Sequence, residues 1–308
     1  FFNEQELAES SGIIWSPETG EHAENPRLDA PAVQCDRTTL NRAQLEAFAA
    51  GDPLTCFGPG FERTAAHTRT PRISGGRMLF FDEVTHLERD GGPWGRGYLR
   101  AVDTITPEDW FFEGHFKNDP CMPGTLMLEG CLQTMAIYLT SLGYTIDNDG
   151  WHFEPVPEVA YQLICRGQVR PTAKLLEYEV FVDEIEDGPY PTIWADILCT
   201  IDGLKAFHCR RMGLRLVPGW PMDSRPELLA DHVETKPVAN ADGFDFDYHS
   251  LMACAWGKPS AAFGEMYQIF DDTRRVARLP GPPYHFMTRV TSTDGPIGAF
   301  KAGVEIAI

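Results

Sequence analysis

Between Trp110 and Glu129 the sequence reads W-F-F-E-G-H-F-K-N-D-P-C-M-P-G-T-L-M-L-E, which sets His115 fourteen residues ahead of the carboxylate of Glu129. An imidazole titrates near neutrality, and a carboxyl against an apolar wall is raised toward the same range. The two residue types therefore form a candidate acid–base pair. Pro120, Pro123 and Gly124 hand the chain into a helix, with Pro123 and Gly124 in its first turn, where a missing or exposed N–H costs least. The unpaired N–H groups of that turn, at the positive end of the helix dipole, suit a developing oxyanion. Singly, each component has a plain structural use. A loop histidine is commonly structural, a Glu in the first turns of a helix is commonly a dipole partner, and P-C-M-P-G is a serviceable tight turn. The informative feature is the joint spacing, H-F-x-x-D-P-x-M-P-G-x-L-x-L-E.

The elements that must position these residues can be read from periodicity. Leu128, Cys131, Leu132, Met135, Ala136 and Leu139 fall on one helical face, and a helix over 124–142 would span about 28 Å. Before it, 78–88 and 98–106 are expected strands around a Gly-rich turn. After it, Leu176, Tyr178, Val180 and Val182 alternate with Glu177, Glu179 and Asp183, and Ile193, Ala195, Ile197, Cys199 and Ile201 repeat the pattern. Asp202–Gly203 predicts a hairpin turn into a strand over 204–216. Residues 41–50 predict a short helix ended by Gly51 and Pro53. One long helix with two strands before it and three or four after it is an α+β pattern, an antiparallel sheet wrapped around a central helix, without βαβ alternation.

Composition narrows the function class. The formal net charge of −19 argues against nucleic acid, since phosphate binding needs clustered Lys and Arg. No stretch predicts a membrane-spanning helix, because Glu129, Gln133 and Thr134 interrupt the longest apolar helical segment. The opening F-F-N-E-Q-E-L-A-E has no basic segment followed by an apolar one, so no secretory signal is expected. The eight cysteines are scattered without a C-x-x-C pair, which predicts neither a metal site nor a redox motif. Several lie in apolar periodic stretches, as reduced core cysteines do, and the expected compartment is the cytoplasm.

An internal repeat organises the chain. Leu45, Gly51, Pro53, Phe57, Gly58, Arg69, Arg72, Phe80, Val84 and Thr85 recur at a constant offset of 206 as Leu251, Gly257, Pro259, Phe263, Gly264, Arg275, Arg278, Phe286, Val290 and Thr291. Residues 219–250 carry seven Asp or Glu against two Arg or Lys and three prolines, a linker composition. The expected organisation is a tail of a preceding unit and linker over 1–40, a first domain over 41–218, an acidic linker over 219–250, and the opening of a second, truncated copy over 251–308.

The stretch Trp110–Gln133 resembles the β-hydroxyacyl-thioester dehydratases of the hotdog fold, and most the β-hydroxydecanoyl type with W-F-F before the histidine and Asp-Pro after it. C-R-G-Q-V at 165–169, A-D-I-L-C-T-I-D-G-L-K-A-F-H-C-R-R-M-G-L-R-L-V-P at 195–218 and L-P-G-P-P-Y-H-F at 279–286 resemble the tandem dehydratase region of bacterial polyunsaturated fatty-acid synthases. The first eight residues resemble the tail of a preceding hotdog there. The resemblance implies dehydration of (3R)-hydroxyacyl thioesters to trans-2-enoyl thioesters, with or without isomerisation of the double bond, inside a fatty-acid or polyketide synthase. It implies His115 as the base for the α-proton and Glu129 as the acid that releases the β-hydroxyl as water. The amide of Gly124 would bind the thioester carbonyl, with Gln133 at a polar helix position nearby. Many decanoyl-type members have Asp where this chain has Glu129, and the purely dehydrating relatives have Glu. In hotdog pairs the histidine of one unit faces the helix carboxylate of the other, so the partner of His115 is either Glu129 or a carboxylate of a companion hotdog, in cis or in a homodimer. The implied macromolecular partner is an acyl carrier protein tethered in the same synthase. Its phosphopantetheine arm carries the substrate, with no further cofactor and no metal. The competing readings are a hotdog thioesterase and a non-catalytic acyl-binding module.

Overall fold

The computed structural model describes residues 15–18, 20, 33, 35–219, 237–297 and 304–307. Most of the acidic linker stretch and most of the first forty residues lie outside these. The chain forms two compact units, one from 1–106 with 124–229 and the other from 107–123 with 230–308.

The first unit opens with α1 (Arg42–Ala49), and its sequence says why it begins there. The Asn41 side chain accepts the Gln44 N–H at 3.0 Å while Gln44 Oε1 accepts the Asn41 N–H at 2.8 Å, a reciprocal capping box. A second short helix, α2 (Pro53–Phe57), has Pro at its first turn and ends at Gly58, whose φ of 89° only glycine adopts freely. The sheet of this unit consists of β1 (Glu83–Glu88), β2 (Tyr98–Thr104), β3 (Trp151–Pro155), β4 (Leu163–Cys165), β5 (Leu175–Glu186), β6 (Thr192–Ile201) and β7 (Leu204–Pro218). Its order is β1-β2-β5-β6-β7-β3 with β4 also on β7, and every pairing is antiparallel. Asp202 and Gly203 both have positive φ, the geometry of the tight hairpin turn that matches strand twist, and they join β6 to β7. Five strands follow the central helix instead of three or four, because β3 and β4 are too short to show an alternation.

The central helix Gly124–Ser141 packs against β2, β5, β6 and β7. It is buried beyond the single face its periodicity predicts: Met127, Gly130, Thr134, Ile137, Tyr138 and Ser141 are as inaccessible as Cys131 and Met135. A helix enclosed by a curled sheet is apolar nearly all round. Gly130 lets it approach β5, since a Cβ there would overlap the Tyr178 ring. The expected strand over 78–88 begins only at Glu83. Gly76–Met78 is a 3₁₀ turn, and the Phe80 N–H and Met78 carbonyl are taken by the Gln133 side chain rather than by a neighbouring strand.

In the second unit, α3 (Phe111–Gly114) precedes His115 and is anchored by buried Phe111 and Phe112. The central helix, next in chain order, is α4. Then come the short pair β8 (Asn240–Ala241) and β9 (Phe244–Asp245), the helices α5 (Tyr248–Ala255) and α6 (Pro259–Phe263), and the antiparallel pair β10 (Arg289–Thr293) and β11 (Val304–Ala307). No described helix is long and apolar enough to cross a membrane.

Candidate active site

His115 sits at the C-terminal end of α3, where a turn of F-K-N-D returns the chain: Asp119 N–H donates to Phe116 O at 3.1 Å and Phe116 N–H to Asp119 O at 3.4 Å. The turn brings Cys121 back to His115, with Cys121 Sγ 3.6 Å from His115 Nδ1. The Cys121 N–H donates to the His115 carbonyl at 2.7 Å, and His115 Nδ1 lies 2.9 Å from the Cys121 carbonyl oxygen. A carbonyl only accepts, so Nδ1 carries the proton and, in the neutral ring, Nε2 keeps its lone pair. That is the tautomer a general base at Nε2 requires. The histidine is half-buried, so the ring is neither sealed in the core nor free in solvent.

In the first unit the helix α4 holds the other three candidates. Gly124 is its first residue, and a Cβ there would stand 3.2 Å from Cys165 Sγ. The first N–H groups of any helix lack an acceptor within it and face the positive end of the dipole, which makes this turn a site for negative charge. Glu129 and Gln133 are one turn apart on α4, and Gln133 Nε2 donates to Glu129 Oε1 at 2.9 Å. The same amide donates to the Met78 carbonyl at 2.6 Å, and its Oε1 accepts the Phe80 N–H at 3.3 Å. Gln133 is 2% exposed, and its bonds orient the Glu129 carboxylate while pinning the chain before β1. A groove of about 140 Å³ opens over this pair, walled by Arg72, Ser74, Phe153 and Leu214. Ser74 Oγ reaches Glu129 Oε1 at 3.5 Å.

The structure thus brings Glu129 together with Gln133 in the first unit, and places His115 with Cys121 in the second. Among the described residues no group of three or more His, Cys, Asp or Glu is arranged to hold a metal ion. Cys131 and Cys199 Sγ are 3.4 Å apart, well beyond the ~2.05 Å of a disulfide. Sequence reasoning did not single out the Cys121 carbonyl, since a backbone acceptor carries no residue signature. Nor did it single out Tyr284 and Gly281, which reach the His115 turn from far along the chain.

An antiparallel sheet curled around one buried helix is the hotdog arrangement, and residues 73–210, which include His115, Gly124, Glu129 and Gln133, match the FabA-like domain. The match covers less than half of the chain. The chain is similar to a polyunsaturated fatty acid synthase of Thraustochytrium sp., with 26% identity to one of its subunits over 226 residues, or 69% of this chain. It spans only 15% of the length of that relative. Solved structures similar to it include the dehydratase heterocomplex ApeI:P of Xenorhabdus doucetiae, at 10% identity and a TM-score of 0.33, covering 51% of this chain and 93% of that one. A hypothetical thioesterase protein of Streptococcus pneumoniae, solved with coenzyme A, is similar at 11% identity and a TM-score of 0.30, covering 44% and 85%.

Proposed function

We propose that the chain dehydrates (3R)-hydroxyacyl thioesters, presented on the phosphopantetheine arm of an acyl carrier protein, to trans-2-enoyl thioesters within a fatty-acid or polyketide synthase. His115 Nε2 takes the α-proton. The electron pair of the Cα–H bond moves into the new Cα–Cβ double bond, by way of an enolate-like state whose oxygen is held by the Gly124 N–H. The Glu129 carboxyl gives its proton to the β-hydroxyl, and the Cβ–O bond breaks to release water. Gln133, bonded to Glu129 at 2.9 Å, keeps that carboxyl in one orientation. Loss of water changes no net oxidation state, so the reaction as proposed calls for no redox cofactor. The observation that carries the reading is the bond from His115 Nδ1 to the Cys121 carbonyl at 2.9 Å, which leaves Nε2 as the free base. The FabA-like match over 73–210 supports the same assignment.

A chain with a formal charge of −19 repels an acidic carrier, which favours a carrier tethered in the same synthase over one recruited from solution. The test is formation of enoyl thioester from a synthetic β-hydroxyacyl-pantetheine or carrier-bound substrate. His115→Ala and Glu129→Gln should each lower turnover by roughly 10²–10⁴-fold without loss of fold. Release of free thiol without enoyl product would instead identify a thioesterase, and neither product would leave an acyl-binding module. Product analysis on the same reaction reads isomerisation. Mixing the two inactive variants reads the pairing: restored activity means that His115 of one copy works with Glu129 of another.

A further inference from the structure

The turn that carries His115 is gripped, inside its own unit, by a segment of the second repeat. The Gly281 N–H donates to the Gly114 carbonyl at 3.0 Å. Side chains are excluded from this contact, because a Cβ on Gly114 would stand 2.8 Å from the Gly281 carbonyl oxygen and 2.9 Å from that of Pro282. Lys117 Nζ donates to the Trp256 carbonyl, and Asn118 Nδ2 to that of Val276 at 3.4 Å. At the centre is Tyr284. Its ring stands edge-on to the His115 imidazole, with centroids 5.8 Å apart and planes at 66°, and it stacks on Trp110 at 5.7 Å and 17°.

Hydrogen bonds and ring contacts share the control of the imidazole. The bond to the Cys121 carbonyl sets which nitrogen bears the proton and where Nδ1 points. The ring is also touched by Phe116, with centroids 4.1 Å apart, and by Cys121 Sγ at 3.6 Å from Nδ1, while the Tyr284 ring, stacked on Trp110, stands edge-on to it. The residue one repeat earlier, at the offset of 206, is Met78, so the aromatic belongs to the second copy alone. We propose that Tyr284 is a positioning residue for His115, holding the imidazole at the angle from which Nε2 meets the substrate. The second repeat then contributes to the site of the first. This rests on His115 being the base of the proposed dehydration.

The test compares Tyr284→Phe with Tyr284→Leu in the full chain, leucine keeping bulk while removing the aromatic ring. Tyr284→Leu should lower kcat by about 10–100-fold, the scale of a misplaced catalytic group, with KM within about threefold. Tyr284→Phe should restore kcat to within about threefold of the parent, because it keeps the ring. A second readout needs no turnover: the imidazole C–H proton resonances of His115, identified by their loss in His115→Ala, should move in Tyr284→Leu and stay in Tyr284→Phe. The idea is overturned if Tyr284→Leu matches the parent in kcat and leaves the resonances in place, or if Tyr284→Phe loses as much activity as Tyr284→Leu. Should the parent itself show no dehydration, the proposed reaction fails on its own, and the resonances alone decide whether Tyr284 holds His115.

Discussion

Residues 41–88 and 247–293 are two readings of one local plan, and they differ in what covers them. Asn41 caps α1 and Asp247 caps α5, each accepting the N–H three residues on, at 3.0 and 2.9 Å. Helices α1 and α5 are eight residues long, and each is followed by a five-residue helix that begins with Pro and ends at a glycine with φ near 88°. An arginine reaches the carbonyls near the end of each eight-residue helix, Arg72 to Ala50 and Arg278 to Ala253 and Cys254. Even the irregularities match, with a register shift between Val84 and His86 in β1 and between Val290 and Ser292 in β10. Yet Phe80 is 2% exposed and its repeat counterpart Phe286 is 70% exposed. In the first unit the chain at Phe80 is bound by Gln133 of the buried helix α4, whereas among the described residues of the second unit no helix exceeds eight residues. Caps, prolines and glycines carry the local path within a few residues. Burial depends on an element far away in sequence.

The comparison can be broken first at its point of greatest contrast. Phe80→Ala should destabilise the protein by about 3–5 kcal/mol and Phe286→Ala by no more than about 0.5, read from urea unfolding. Similar losses would mean that the two phenylalanines are covered alike. The terminating glycines come next. Gly58→Ala and Gly264→Ala each force a side chain into a backbone region reserved for glycine, at about 1–3 kcal/mol. Gly264→Ala should cost more, since its Cβ would lie 2.7 Å from Phe244 Cζ, against 3.4 Å from Arg37 Nε for Gly58. The caps should be nearly equal: Asn41→Ala and Asp247→Ala at about 1 kcal/mol each, with Asn41 slightly ahead because Gln44 returns its bond.

The smallest effect has opposite signs in the two units. Burial pushes the Glu179 carboxyl up from its ordinary 4.5, with the Tyr98 hydroxyl bond at 2.7 Å partly offsetting it. A raised carboxyl costs nothing below 4.5, where folded and unfolded forms are both protonated, and its cost grows as pH rises through the folded value. Glu179→Gln should therefore stabilise at pH 7 and do little in acid. Asp271 is held below its ordinary 3.8 by the Ser260 N–H and hydroxyl, at 3.0 and 2.7 Å. Its contribution is present above 3.8 and fades as pH falls through the lowered value, so Asp271→Asn should destabilise slightly at pH 7 and not in acid. Melting temperatures across pH 3–8 would show whether the two curves cross.

Much of the first unit was legible because its signals are local. The central helix was expected over 124–142 and runs Gly124–Ser141; Asp202–Gly203 makes the hairpin expected of a D-G pair. Strands β3 and β4, five and three residues long, escaped because an alternation needs length to show. The chain before β1 read as strand because Met78–Phe81 is apolar, but the Gln133 amide claims its backbone groups. For the site, residue types and spacing singled out His115, Gly124 and Glu129, and the family resemblance added Gln133. They could not reveal that a carbonyl selects the imidazole tautomer, or that Gly281 and Tyr284 close on the His115 turn, because such contacts leave no periodic trace.

That last contact has a bearing on how the chain is made. His115 emerges from the ribosome roughly 170 residues before Tyr284, and synthesis at about 5–20 residues per second puts on the order of ten to thirty seconds between them. Through that interval the nascent histidine has its Cys121 carbonyl but neither Gly281 nor Tyr284. On the proposed role of Tyr284, a newly made first repeat gains its working geometry only when the opening of the second has been translated, so that the order of synthesis would gate competence.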